Sequence, residues 1–388
     1  MISVQEALTR CLALAAPLGP EQVDLAHAAG RWMCVPAVAR RDQPPFDASA
    51  MDGYAMAGLP APGDSFQVIG EAGAGHAFDG PVGPGQAVRI FTGAPVPAGA
   101  TRVVIQEDVT RDGDRITVVG TDHGTNIRPL GQDFRSGDSL SPRRLRANDL
   151  ALLAAMNIPT VTVTRRPVVA IIATGDELVM PGETPRADQI IASNGFALKA
   201  MVEAEGGEAR LLPIARDTVP ELAMVLDLAQ GADLIVTIGG ASVGDHDLIG
   251  RIPGLERAFW KIALRPGKPL IAGRLNGVPL LGLPGNPVSA IICGHLFLLP
   301  MLRAMLGDGD PAPRPRQARL AVDLPANGPR THYMRARLSD GPDHPLIAPF
   351  DRQDSALLSI LGQADALLIR PADDGPQPAG QVVPYLPL

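Results

Sequence analysis

The chain has 388 residues, 46% hydrophobic and 19% charged, which is more apolar mass than one core usually holds and an ordinary balance for a soluble globular protein. A formal net charge of −7 supplies no basic excess for nucleic-acid phosphates, and no run approaches the roughly 18 uninterrupted apolar residues of a membrane span, so neither nucleic acid nor membrane is an expected partner. Cys11, Cys34 and Cys293 are odd in number and far apart, which argues against a disulfide framework, and Met1 to Glu6 carries no secretory pattern, so a cytoplasmic chain is expected.

Apolar residues at helical spacing (Val4, Ala7, Leu8, Cys11, Leu12) predict an amphipathic helix over 3–16, stopped before Pro17 and Gly19. From Asp64 to about Thr121, short β-rich runs (Ala87–Phe91, Arg102–Gln106, Arg115–Val119) alternate with Gly/Pro/Asp turns, the pattern of a small all-β module. A helix over Ala147–Ile158 and a short strand Val161–Thr164 follow. The style then changes: Val168–Ala173, Leu211–Ile214, Leu234–Ile238 and Val278–Leu283 are β-rich runs separated by helix-period stretches, which predicts an α/β domain on a parallel-rich sheet. Residues 307–316 lack an apolar period and predict a linker. Leu320–Leu324, Tyr333–Leu338, Ala366–Ile369 and Gln381–Tyr385 beyond it predict a C-terminal β-barrel-like domain.

Ligands of α/β sheets sit where strand ends lead into helix starts. Three loops fit: Thr174–Leu178 with two adjacent acids, Gly239–Asp247 with glycines, a hydroxyl and two acids, and Leu283–Ala290, where Asn286 suits an N-cap and Pro287 the first helical position. Ser289 adds a hydroxyl near that helix start, where free N–H groups favour an anion. Arg265-Pro266-Gly267-Lys268-Pro269 places two cations around a tight turn suited to an oxyanion. Each has a plain alternative, a helix-starting turn or a solvated basic turn; three polar loops from one sheet favour a site. No His/Cys metal cluster, G-x-S-x-G elbow or Walker loop is present. Carboxylate-rich loops instead suit Mg²⁺ held through one or two acids plus substrate phosphate.

Pro44-Pro45-Phe46-Asp47-Ala48-Ser49-Ala50-Met51-Asp52-Gly53-Tyr54-Ala55 reads from composition only as a loop. It resembles the P-x-F-D-x-S-A-M-D-G-Y-A motif of the molybdopterin molybdenumtransferases, which include bacterial MoeA proteins and the E domain of gephyrin. In family order there follow Gly85–Gly99, Gln106-Glu107-Asp108, Asn126-Ile127-Arg128, Gly131-Gln132-Asp133 and the loops above, so the resemblance runs from about residue 40 to 290 and more weakly beyond. It implies an α/β multidomain chain: a helix and linking domain from 1–45 and 135–166, an inserted β-rich domain 46–134, a molybdopterin-adenylyltransferase-like α/β domain 167–309, and a C-terminal domain 310–388.

The implied reaction takes adenylyl-molybdopterin and molybdate, releases AMP and leaves molybdenum on the dithiolene. Carried over by the resemblance, Asp52, Asp133, Glu177, Asp217 and Asp247 are the acids of catalysis, with Thr92 and Ser242 as hydroxyls and Glu177, Asp217 and Asp247 holding Mg²⁺. Arg265, Lys268, Pro269, Pro284, Pro287, Ser289, Arg335 and Ser355 form the molybdate and molybdopterin side. The sequence departs from the family at Ala48, where Asn is usual, at Asp354, where Gly is usual, and at Arg265, where many relatives carry Lys. A homodimer with its site in the cleft between subunits is implied, as are transient contacts with molybdopterin adenylyltransferase and with apo-molybdoenzymes or their chaperones. Two other readings fit the fold. A non-catalytic dimeric scaffold needs none of the acids, and a general nucleotide pyrophosphohydrolase leaves the two β domains without a role.

Overall fold

Val168–Ala173 sends Val169 and Ile171 into one buried layer and Ala170 and Ile172 into another, the two-sided burial that a central parallel strand requires. The computed structural model describes residues 1–120, 124–240, 249 and 252–388. These fall into two compact units, residues 1–21 with 164–388 and residues 22–163.

In the first unit the strands stand in the order Glu208–Leu211, Val168–Ala173, Leu234–Ile238, Val278–Leu283, Ile271–Leu275, Leu255–Phe259. The first four run parallel, and the last two are joined by antiparallel pairings: Ile271–Leu275 runs against its neighbours on both sides. Three parallel strands lie where the apolar runs predict them. The expected strand Leu211–Ile214 is instead Glu208–Leu211, because Gly206, at φ 105°, ends the helix Asn194–Glu205 in the left-handed region and turns the chain into the sheet early. Its exposed Glu208 and Arg210 are the polar half of an edge strand and hide it from an apolar scan. The two antiparallel strands escape for a similar reason, since Glu256, Arg257 and Arg274 interrupt their apolar runs.

Helix Val4–Leu14 starts on Ser3, whose Oγ accepts the Glu6 N–H at 3.1 Å. It buries Ala7, Leu8 and Cys11 against the α/β layer containing Leu296 and Met301, so the helix packs in the compact unit that holds residues 164–388. Pro287–Leu306 is one helix of 20 residues with a single π turn over Gly294–Leu298. Its length and composition would suit a membrane, but 72% of that window is buried inside the unit: the apolar run is a core helix. Gly294 makes this packing close, since a Cβ there would stand 2.9 Å from Met201 Cε.

Beyond residue 310 five strands close on themselves. Thr331–Ser339 pairs with Leu346–Pro349, that with Arg316–Leu320, that with Val382–Pro387, that with Ala366–Arg370, and the last returns to Thr331–Ser339. Alternation fills the barrel: Ala366 and Leu368 face its interior with Leu320 and Ile347, while Leu367 joins the α/β core. A sixth strand, Leu264–Arg265, comes from the α/β segment and pairs in parallel with Thr331 and His332.

The second unit has a six-stranded sheet in the order Arg102–Ile105, Gly53–Met56, Gln86–Ile90, Ser65–Ala72, Arg115–Val118, Val109–Asp112. Gly53 is required there, because a Cβ would meet Val104 O at 2.0 Å. Chain from both sides of this sheet, including Met33, Leu140, Leu145, Leu153 and Val163, shares a separate core.

One barrel residue ties stability to pH. His332 is 5% exposed and its Nε2 has no hydrogen-bond partner among the described residues. Burial first, then the charges of Arg265, Arg330, Arg335 and Arg370, push its imidazole down to about 4 from 6.5. The unfolded chain therefore binds a proton between these values that the folded chain refuses, so this stability is present above about pH 6.5 and lost as pH falls towards 4. We expect urea unfolding to show a decline on the order of 3 kcal/mol across that window, from about 1.4 kcal/mol per pKa unit. His332→Gln should flatten it; an unchanged slope in the variant would exclude His332 as its source.

Candidate active site

The parallel strands Val168–Ala173, Leu234–Ile238 and Val278–Leu283 end at one cleft of about 700 Å³, lined among others by Glu177, Asp217, Lys268, Asn194 and Asn286. Two helices, Asn194–Glu205 and the one starting at Pro287, begin at its wall. Their N-termini bring the positive ends of two peptide dipoles to the cleft, which favours an anion beside two carboxylates.

Glycines shape the carboxylate side. Gly175 sits at φ 150°, and a Cβ on it would stand 2.4 Å from Glu177 Oε2, so the Glu177 carboxylate lies folded over the bare Cα. Gly239 and Gly240 likewise lie against Thr174: Cβ atoms there would approach its carbonyl O and its Oγ1 to 2.8 Å. The floor is bare glycine backbone lying against Thr174 and the Glu177 carboxylate, which leaves the volume to a ligand.

Lys268 and Pro269 also line the cleft, with Pro284 and Pro287. Gly267, at φ 130°, packs the cation turn onto the core helix, since a Cβ there would meet Leu264 Cδ2 at 2.6 Å and Cys293 Sγ at 2.7 Å. Arg265 is exposed and in register with His332; it does not line the cleft itself.

Ser289 is buried in the first helical turn. Asn286 occupies the N-cap position without capping; its Nδ2 donates instead to Ser355 Oγ at 3.1 Å, while Val288 N–H donates to Ser355 O at 3.1 Å. Ser355 is thereby fixed to the helix start. Arg335, expected at the molybdate, is 1% exposed and turned inward: its guanidinium donates to Gln353 Oε1, Leu357 O and Arg352 O, so it holds the Ser355 loop from behind. Asp354 is spent on its own loop, where Oδ1 accepts the Ala356 N–H at 2.8 Å, which satisfies the acid that the sequence places beside an oxyanion pocket.

In the other unit, Asp52 Oδ1 accepts both Thr92 N–H at 2.8 Å and Thr92 Oγ1–H at 2.7 Å. Those two bonds, with a smaller contribution from Arg89, hold its carboxyl below the usual range, so it is charged at neutral pH. Arg89 stacks between the Tyr54 and Phe91 rings, 5.1 and 4.7 Å from their centroids, and donates to Gly53 O. Asp47 Oδ1 accepts Leu130 N–H and Ser49 Oγ donates to Met51 O, so these two polar residues of the long motif shape the loop that presents Asp52. Ala48 lies buried in a short strand paired with Ile127–Arg128. Asp133 is held through its N–H to Gln43 O, and among the described residues no hydrogen bond joins it to Asp52.

Ser242 and Asp247 lie outside the described residues. Among the described residues no three His, Cys, Asp or Glu side chains stand together as a metal cluster. Glu177 and Asp217 sharing one cleft is nonetheless a donor set that suits Mg²⁺, which takes one or two carboxylates and completes its shell with water and phosphate oxygens. Sequence reasoning missed Asn194, whose Nδ2 donates to Gly285 O at 2.7 Å; its signal was Ser193-Asn194 just before a helical period.

Three family models cover the chain: the MoeA N-terminal region (domain I and II) over residues 2–157, the "Probable molybdopterin binding domain" over 170–304, and the MoeA C-terminal region (domain IV) over 317–388. The chain is 37% identical over 306 residues to the molybdopterin molybdenumtransferase of Nostoc sp., covering 74% of this chain and 70% of that one. It is 33% identical over 395 residues to molybdopterin molybdenumtransferase 2 of Mycobacterium tuberculosis, covering 96% of each. The crystal structure of the molybdopterin biosynthesis MoeA protein of Pyrococcus horikoshii superposes over 100% of both chains with TM-score 0.85 at 28% identity.

The Gly175 geometry makes a specific demand. In Gly175→Ala the new methyl would displace the flexible Glu177 side chain, and the positive φ adds strain of about 1–2 kcal/mol. The variant should fold, melt a few degrees lower, and lose turnover as severely as Glu177→Gln. Full activity in a folded Gly175→Ala protein would show that the folded-over position of Glu177 does not matter.

Proposed function

The chain belongs to the molybdopterin molybdenumtransferase family, and from that premise we propose that its cleft is where molybdenum passes from molybdate into adenylyl-molybdopterin with release of AMP. In this reading it is a transferase of molybdenum cofactor biosynthesis acting in the cytoplasm. One observation carries it: Glu177, Asp217 and Lys268 line a single cleft at the carboxyl edge of the sheet, where two helices begin. A scaffold has no use for carboxylates and a cation gathered in this way.

Glu177 and Asp217, with Asp247 as third acid, are proposed to hold Mg²⁺; the ion supplies charge neutralisation at the phosphoanhydride when bound. The helix starts at Asn194 and Pro287 orient the anionic substrate by the positive ends of their dipoles. Lys268 offers its ammonium to molybdate, and Arg265 raises the positive potential beside the turn. Ser355, clamped by Asn286 and the Arg335-held loop, presents a hydroxyl at the same helix start. Asp52, kept ionised by Thr92, and Asp133 act in the same chemistry in this proposal.

The reaction is tested by AMP release from adenylyl-molybdopterin with Mg²⁺, with and without molybdate. Molybdate-dependent release is expected; molybdate-independent hydrolysis of simple dinucleotides would mark a pyrophosphohydrolase instead. Within that assay Arg265→Ala should raise the molybdate requirement about two- to fivefold, from about 0.5–1 kcal/mol for a charge acting through space from an exposed position, while Arg265→Lys stays near wild type. An alanine variant with unchanged molybdate dependence would reduce Arg265 to a solvated turn residue.

We also propose a homodimer as the working unit, receiving substrate from molybdopterin adenylyltransferase and passing product to apo-molybdoenzymes or their chaperones. Light scattering should give twice the mass of the chain. A monomer with full activity at low concentration excludes the idea.

A further inference from the structure

Thr174–Leu178 places two acids side by side, and the structure sends them in different directions. Glu177 lines the cleft; Asp176 does not. Asp176 Oδ1 instead accepts the backbone N–H of Asp217 at 3.1 Å, gripping the next loop at the residue whose carboxylate does line the cleft. The favour is returned from the other side. Arg216, the neighbour of Asp217, donates from Nη1 to Asp176 O at 3.0 Å and to Leu178 O at 3.4 Å, the two carbonyls that flank Glu177.

These side chains take over where the backbone ladder stops. The last pairing between the two segments is the parallel bridge Thr174–Ala215, with Gly175 N–H donating to Ala215 O at 3.1 Å. Past that point Glu177 leads into a short strand paired with Ile190–Ile191 and Asp217 into the helix Val219–Asp227, and among the described residues no backbone pairing joins the two segments directly. Two carboxylates at one cleft repel each other, so an unbraced pair would drift apart in the absence of a cation.

We propose that Arg216 and Asp176 are positioning residues that form a reciprocal brace, each holding the loop that bears the other's acidic neighbour, so that Glu177 and Asp217 are set for a divalent cation before it arrives. Asp176 acts here as a hydrogen-bond acceptor, and its charge is not a cation ligand. The cation part rests on the function proposed above; the brace itself does not.

The two roles of Asp176 separate by chemistry. Asp176→Asn keeps an Oδ1 acceptor and removes the charge, whereas Asp176→Ala removes both. Full-length protein is titrated with Mn²⁺ alone, free ion being followed by paramagnetic resonance, and amide exchange of segments 174–179 and 215–218 is read by mass spectrometry on the same samples. Expected are wild-type-like Mn²⁺ affinity within about twofold for Asp176→Asn, at least a fivefold loss for Asp176→Ala and Arg216→Ala, and loss of the site in Glu177→Gln. Arg216→Ala should speed exchange in 174–179 and Asp176→Ala in 215–218, with melting curves confirming folded protein. If Asp176→Asn binds Mn²⁺ as poorly as Asp176→Ala, Asp176 is a ligand and the assignment is overturned. Unchanged exchange in both alanine variants overturns the brace outright. Should Glu177→Gln bind Mn²⁺ like wild type, the cation reading of the cleft fails, while accelerated exchange still establishes the brace.

Discussion

Like charges brought together at the mouth of a parallel sheet are the constraint on which the rest of the α/β architecture turns. The ligand proposed for this cleft is itself an anion, so the same space must accept more negative charge beside Glu177 and Asp217. The molecule answers with opposing fields: helix starts at Asn194 and Pro287, and Lys268 on a turn pressed onto the core helix through Gly267. Without these the cleft would repel its substrate.

Positioning is done largely by groups whose hydrogen bonds go to the protein's own loops. Arg335 is spent on carbonyls behind the Ser355 loop, Asn286 gives up capping its own helix to hold Ser355, and Asp354 is absorbed in a turn. Thr92 does the equivalent for Asp52 with two bonds to one oxygen. Among these only the Arg335 hydrogen bonds are shielded from water, so Arg335 is the costliest of these supports to remove.

Apolar runs made the central strands legible: Val168–Ala173, Leu234–Ile238 and Val278–Leu283 are continuous because both faces are buried. In the same sheet the strands broken by charged residues were not, and Glu208–Leu211 was displaced towards the more apolar stretch that follows it. The N-terminal helix shows a different limit. Its period declares an amphipathic helix, but nothing in eleven residues says which core will cover Ala7 and Cys11. At the site, motif position identified Glu177, Asp217 and Lys268, yet could not tell a residue that lines the cleft from one that supports it. Arg335 reads as an anion contact until its carbonyl partners, 17 to 22 residues away, are seen.

The short strand Leu264–Arg265 leaves the α/β segment to extend the sheet of the C-terminal barrel beside Thr331 and His332. The linker after Leu306 is therefore a boundary in the sequence and not in the hydrogen-bonding. A chain cut there would leave an orphaned two-residue strand on one fragment and a bare strand edge on the other, each a surface open to unwanted pairing. The cation turn would lose its anchor along with the barrel, so inheritance of this site by recombination has to carry both pieces together.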